Sequence, residues 1–227
     1  SFLVHGYPIK EAFLASEGLM DNLVKESYRI SEDGYFYISS GLLNSELAER
    51  WKVIQALREA NEHLCLFNPI ECIPEAQMNI GYAMEGGKGI EDVAAFPGRI
   101  GHHGGKVFFK GEPLFGASEL MAQLILDYMR YVPSMRSAAN VRYEKALIRK
   151  AQEKGLGVAF LNGRQRISRA RKGKRQDFYI LMGKILEDMD NPPDIIYDEG
   201  DIGIEAMIRL FARNPRELLK KMEMIAR

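Results

Sequence analysis

The chain has 227 residues, 46% of them hydrophobic and 27% charged, enough to bury one sizeable core or one core plus a small appendage. Thirty-one basic against thirty-one acidic residues and a pI near 6.9 exclude a global electrostatic pull toward nucleic acid or anionic membrane. Two cysteines, Cys65 and Cys72, make neither a disulfide framework nor a four-ligand zinc site, and a reduced cytosolic setting is expected. No apolar run approaches membrane-spanning length, and "SFLVHGYPIKEAF" lacks the pattern of an export signal.

Along the chain, residues 1–27 are expected to be helical, with Ile9, Phe13, Leu19 and Leu23 at roughly helical spacing. Residues 28–44 follow as a hairpin or an extended linker, with Asp33-Gly34 between short aromatic and β-branched runs. A strong helix starts at Ser45, with Glu46 and Glu49 in its first turns and Leu47, Trp51, Ile54, Leu57 and Leu64 on one face, which assigns Trp51 to the core. "AQMNIGYAM" reads as a strand and "RIGHHGGKVFFKG" as two strands around a glycine turn. Ser118 caps the next helix, and "AANVRY", "EKALIRKAQEKG" and "LGVAFLN" form a β-α-β unit. After a basic segment come a helix in "DFYILMGKILEDM", strands in "PDIIYD" and "MIRLFA", and a last helix at Asn214-Pro215 with Glu217 completing a capping box. This order implies a layered α/β domain with a mixed sheet, residues 45–227, preceded by residues 1–44 as a helix and linker.

Arg99 follows Phe96-Pro97-Gly98, a turn rigid enough to aim a guanidinium at an anion. Gly116, Ala117 and Ser118 open a helix whose free N–H groups suit a phosphate, although the same residues would serve as an ordinary cap. A phosphorylated ligand shared by Arg99 and this turn is the expectation. His102-His103 point to opposite faces of a strand, and the other histidines, His5 and His63, are remote, which argues against a three-histidine metal site. Asp92, Asp198 and Asp201 leave Mg2+ held through a diphosphate open. Residues 164–176 carry seven basic residues and no acid. They read as a solvated loop, a counterweight to an acidic patch, a lid over polyphosphate or a nucleic-acid patch; the absence of interleaved aromatics argues against the last.

"QMNIGYAM", "EDVAAFPGRI", "FGAS", "RSAANVRY" and "PDIIYDEGDIG-EAMIR" occur in this order, and residues 46–227 thereby resemble the ThiN-type thiamine-phosphate synthase domain. The resemblance implies a three-layer α/β/α fold related to class II aldolases. It also implies condensation of hydroxymethylpyrimidine diphosphate with thiazole phosphate to thiamine phosphate and pyrophosphate. It makes Arg99 the catalytic candidate, with substrate contacts from Gln77, Asn79, Asp92, Gly98, Gly116, Ala117, Ser118, Asn140, Arg142, Tyr143, Asp198 and Glu205, Asn140 reading a pyrimidine edge. Small phosphorylated ligands are the implied partners, without membrane, and a homo-oligomer stays open. Residues 1–27 resemble the last helix of a ribokinase-like kinase to which such domains are fused, without the anion-hole segment or general base that kinase activity needs, so none is expected. Where the family carries a histidine two places after "FGAS" this chain has Leu120, and Ile204 replaces a lysine. These departures keep a second reading alive: a non-catalytic module that binds thiamine phosphate and regulates.

Overall fold

In the computed structural model, the described residues are 7–8, 28–30, 35–38, 45–161, 174–187, 189 and 191–226. The rest of the expected helix over 1–27, and most of the basic segment 164–176, lie outside them. The chain divides into two compact units, Ser1–Val53 and Ile54–Arg227. In the first, β1 (Tyr7–Pro8), β2 (Tyr28–Ile30) and β3 (Tyr35–Ile38) form an antiparallel sheet in the order β1-β3-β2. The hairpin expected after residue 27 is therefore present, Tyr28 pairing with Ile38. Tyr7-Pro8, by contrast, is strand where a helix was expected, because Pro8 has no N–H to give a helical ladder and pairs at a sheet edge. Helix α1 (Ser45–Phe67) begins as expected, yet Trp51 is 44% exposed and is not core.

The second unit is built on a seven-stranded mixed sheet. Its strands are β4 (Ile80–Ala83), β5 (Val93–Ala95), β8 (Leu114–Phe115), β9 (Ser137–Arg142), β10 (Val158–Phe160), β11 (Ile195–Asp198) and β12 (Met207–Ala212). Their spatial order is β10-β11-β12-β9-β4-β5-β8, with only the β10–β11 pair parallel. Strands β6 (Ile100–His103) and β7 (Lys106–Phe109) form a separate hairpin around Gly104-Gly105. The expected β-α-β unit is β9, α3 (Lys145–Glu153) and β10; β9 and β10 run parallel with β12 and β11 between them.

Both sheet faces are covered, so the central strands bury apolar residues on each side. Ala138, Ile196 and Phe211 pack with Met121, Ile125 and Tyr128 of α2 (Glu119–Met129) and Leu181, Met182 and Leu186 of α4 (Lys174–Glu187). Ala139, Val141, Ile195, Ile208 and Leu210 are buried on the other face, where α3 and α5 (Pro215–Ala226) lie. The result is the expected three-layer α/β/α arrangement. The Tyr128 ring stacks on Phe211 at 4.0 Å while its hydroxyl donates to Pro193 O at 2.6 Å, tying α2 across the sheet. Asn214 Oδ1 caps α5 by accepting from Glu217 N at 2.9 Å. The Glu217 carboxylate takes Arg213 and Lys221 in place of the reciprocal half of a capping box.

Candidate functional site

The five motifs meet along two regions of the second unit. The first lies where β9 ends and β4 begins. Asn79 is 6% exposed and its side chain is fully used: Nδ2 donates to Phe96 O at 2.9 Å, and Oδ1 accepts from Ile80 N and Phe96 N at 2.9 and 3.1 Å. Asn140 Oδ1 accepts from Asn79 N at 2.7 Å, and Asn140 Nδ2 donates to Gln77 O at 2.9 Å and reaches Met207 Sδ at 3.8 Å. Asn140 thus staples the 77–79 segment to β9. The Glu205 carboxylate is likewise occupied by Glu75 N and Ala76 N at 2.7 and 2.9 Å.

Arg99 belongs to this web. It has φ 59° and Gln77 has φ 67°, left-handed conformations that cost a residue with a Cβ on the order of 1 kcal/mol or more. The two residues immediately precede the partners of one isolated bridge, Met78 with Ile100. Gly98 lets the turn close, since a Cβ there would lie 2.2 Å from Lys110 O. The Arg99 guanidinium donates through Nη1 to Ala76 O at 2.5 Å, which leaves its other N–H groups for a ligand.

Beside this web, Arg142, Met207 and Asp198 share a register row on one sheet face. Asp198 Oδ2 pairs with Arg209 Nη1 at 2.5 Å and Oδ1 accepts from Gly200 N. Tyr143 donates to Glu199 Oε1 at 2.9 Å and stacks on Tyr197, which in turn meets Phe160. Burial first, then the Glu199 hydrogen bond and charge, push the Tyr143 phenol up to about 12, so it is a neutral donor at ordinary pH.

The second region is the start of α2. Gly116 takes φ 70°, and Ser118 Oγ accepts from Met121 N at 3.4 Å. Gly116 N donates to Val93 O, at the start of β5, whereas the Arg99 turn leaves from Phe96 at its other end. Three residues of strand, about 10 Å of backbone, lie between these two attachment points on β5. Asp92 lies with the second region and closes a turn by accepting from Lys88 N and Gly89 N. Four strand spacings, about 19 Å, part Asp92 from Asp198, so the three aspartates do not converge on one ion. No group of three or more His, Cys, Asp or Glu at metal-holding distance occurs among the described residues.

Sequence reasoning missed the groove between α2 and α4. Leu120, Gln123, Asp127, Arg130 and Tyr131 form one helical stripe and face Ile180, Gly183, Lys184 and Glu187 across a volume of about 720 Å³. The matching i, i+3/i+4 stripes on the two helices are the signal that could have found it. Leu120, where the resemblance places a histidine, is 39% exposed and lines this volume two residues past Ser118.

Thiamine-phosphate synthase ThiN is the family whose profile matches residues 56–224. The chain is 33% identical over 146 residues to thiamine-phosphate synthase ThiN of Methanothermobacter thermautotrophicus, covering 64% of this chain and 77% of that protein. It is 31% identical to the bifunctional thiamine biosynthesis protein ThiDN of Methanocaldococcus jannaschii, covering 99% of this chain and 51% of that protein, so it spans about half of that relative's length. Among solved structures, the C-terminal domain of phosphomethylpyrimidine kinase superposes with a TM-score of 0.71 at 36% identity, covering 78% of this chain and all of that one. With the profile, the relatives and the fold in agreement, this chain belongs to the ThiN family of thiamine-phosphate synthases.

Proposed function

We propose that the chain joins hydroxymethylpyrimidine diphosphate to thiazole phosphate, releasing pyrophosphate and giving thiamine phosphate. The similarity to a ThiN synthase over 77% of that protein's length carries this reading. The relatives are named as synthases or biosynthetic proteins, which does not favour the regulatory alternative.

Departure of pyrophosphate builds negative charge on the leaving group, so oriented N–H groups and cations beside it lower the barrier. The thiazole nitrogen is already nucleophilic and attacks the exocyclic carbon as the carbon–oxygen bond to diphosphate breaks. The protein's work is to align the two substrates and exclude water. Two phosphorylated substrates bring two anionic groups to be held. The α2 N-terminus takes one, and Arg99, aimed by its constrained turn, takes the other. Small phosphorylated ligands are thus the partners, and free Cys65 and Cys72 agree with a reducing cytoplasmic setting. No helix among the described residues is long and apolar enough to cross a membrane.

The test is to incubate the purified chain with both substrates and Mg2+ and to quantify thiamine phosphate by its oxidation to a fluorescent thiochrome. Product that requires both substrates supports the synthase. Tight binding of thiamine phosphate with no turnover would return the regulatory module.

A further inference from the structure

Asp127 stands out from every other carboxylate in the groove. Its side chain is 8% exposed, and Oδ1 makes no hydrogen bond, although Oδ2 accepts from Gln123 Nε2 at 2.8 Å. The nearest cation to Oδ1 is Arg130 Nη1 at 3.1 Å, from a side chain 72% exposed. A contact of that kind is worth little and is easily displaced by a better donor. A buried acceptor without a hydrogen bond weakens the fold, which calls for a compensating role.

We propose that the groove between α2 and α4 holds the aminopyrimidine half of the substrate, with the Asp127 carboxylate accepting from its exocyclic amine. This placement rests on the synthase reading above. The carboxylate supplies a charge-assisted acceptor, and Gln123, with one N–H on Asp127, has a second for a ring nitrogen. Leu120, Ile180 and Tyr131, each about two-fifths exposed, provide the apolar walls a flat heterocycle needs. The volume of about 720 Å³ suits a ligand of this size. From Ser118 to Asp127 the helix rises about 13 Å. The amine and the diphosphate arm sit on neighbouring ring carbons, so with the amine at Asp127 the arm runs back along α2 toward the N–H groups of residues 116–118.

The experiment is calorimetric titration of the full chain, wild type, Asp127→Asn and Leu120→Trp, with hydroxymethylpyrimidine diphosphate and separately with thiazole phosphate. Expected is a tenfold or greater loss of pyrimidine affinity in both variants, with thiazole phosphate affinity held within twofold. Because Leu120 is exposed, the tryptophan variant decides the matter if Asp127→Asn fails to fold. Unchanged pyrimidine affinity in the folded variants, with turnover present in the wild type, overturns the groove and leaves the synthase reading standing. The same holds if sedimentation shows Leu120→Trp abolishing self-association while pyrimidine affinity stays constant, since a second copy would then fill the groove. A wild type that binds neither ligand removes the synthase reading and this one together.

Discussion

The web around Asn79 and the groove around Asp127 treat polar groups in opposite ways. In the web, the side-chain amides of Asn79 and Asn140 and the carboxylate of Glu205 are spent on backbone, and the chain is bent through two left-handed residues. In the groove, a buried carboxylate oxygen lacks a hydrogen bond, apolar side chains face an opening, and a glycine sits mid-helix. A satisfied network holds a reacting group in one place, whereas an unsatisfied one is completed by what binds. On the proposed reading the two regions divide the work: the web fixes Arg99, and the groove receives substrate.

The largest effect should come from the hub of the web. Asn79→Ala removes the partners of three backbone groups in a buried position, at about 1–3 kcal/mol for each one left unpaired. We expect a loss of at least ~3 kcal/mol in urea denaturation. A loss below about 1 kcal/mol would mean that the web is solvated and does not hold Arg99 rigidly.

Next comes the residue the web positions. Arg99→Ala should lower kcat/KM by about a hundredfold, the usual consequence of removing one charge-stabilising donor. Stability should hold steady or rise. Arg99→Gly should lose the same activity and gain about 1 kcal/mol of stability, because glycine adopts φ 59° without the Cβ clash. If both variants are inactive and less stable, the guanidinium bond to Ala76 O is structural and Arg99 is no substrate ligand.

How much of this the sequence reveals follows from the range of each interaction. Caps, hairpins and the layer order depend on neighbours within a few residues, and Ser118, Asn214 and the β6–β7 hairpin fall where their residues place them. Strands β5 and β8, of three and two residues, are too short for a periodic signal. Asn140 reads as a free amide because Asn79 and Gln77, its partners, are more than sixty residues away. Asp127 draws no notice in the sequence, since nothing local shows that α2 and α4 lie side by side.

A tenfold effect is expected where the two regions connect to chemistry. Position 120 is exposed at the groove mouth beside the 116–118 turn, so Leu120→His places an imidazole in open space near the anion site. The rate should rise about tenfold, within what one positioned acid contributes, and stability should change by less than about 0.5 kcal/mol. Met121, Leu124 and Ile125 supply the core face of α2, and Leu120, 39% exposed, lies off it. A variant that binds both substrates and gains no rate would place the leaving group elsewhere.

The smallest effect tests whether the groove gives up stability for its opening. Glycine in the middle of a helix is disfavoured by about 1 kcal/mol relative to alanine, and Gly183 lies well inside α4. A Cβ at this position would lie 2.6 Å from the Tyr131 hydroxyl, and the other near atoms belong to the same ring. The hydroxyl is the far end of a side chain 40% exposed, held by one long hydrogen bond of 3.3 Å to Glu187, so it can swing outward at small cost. Gly183→Ala should therefore raise stability by roughly 0.5 kcal/mol, the helix gain less the lost hydrogen bond. The shift should be readable as a higher urea midpoint at unchanged slope. A net destabilisation beyond 1 kcal/mol would mean that Tyr131 is locked against α4, and the groove would then be a packed seam with no opening to fill.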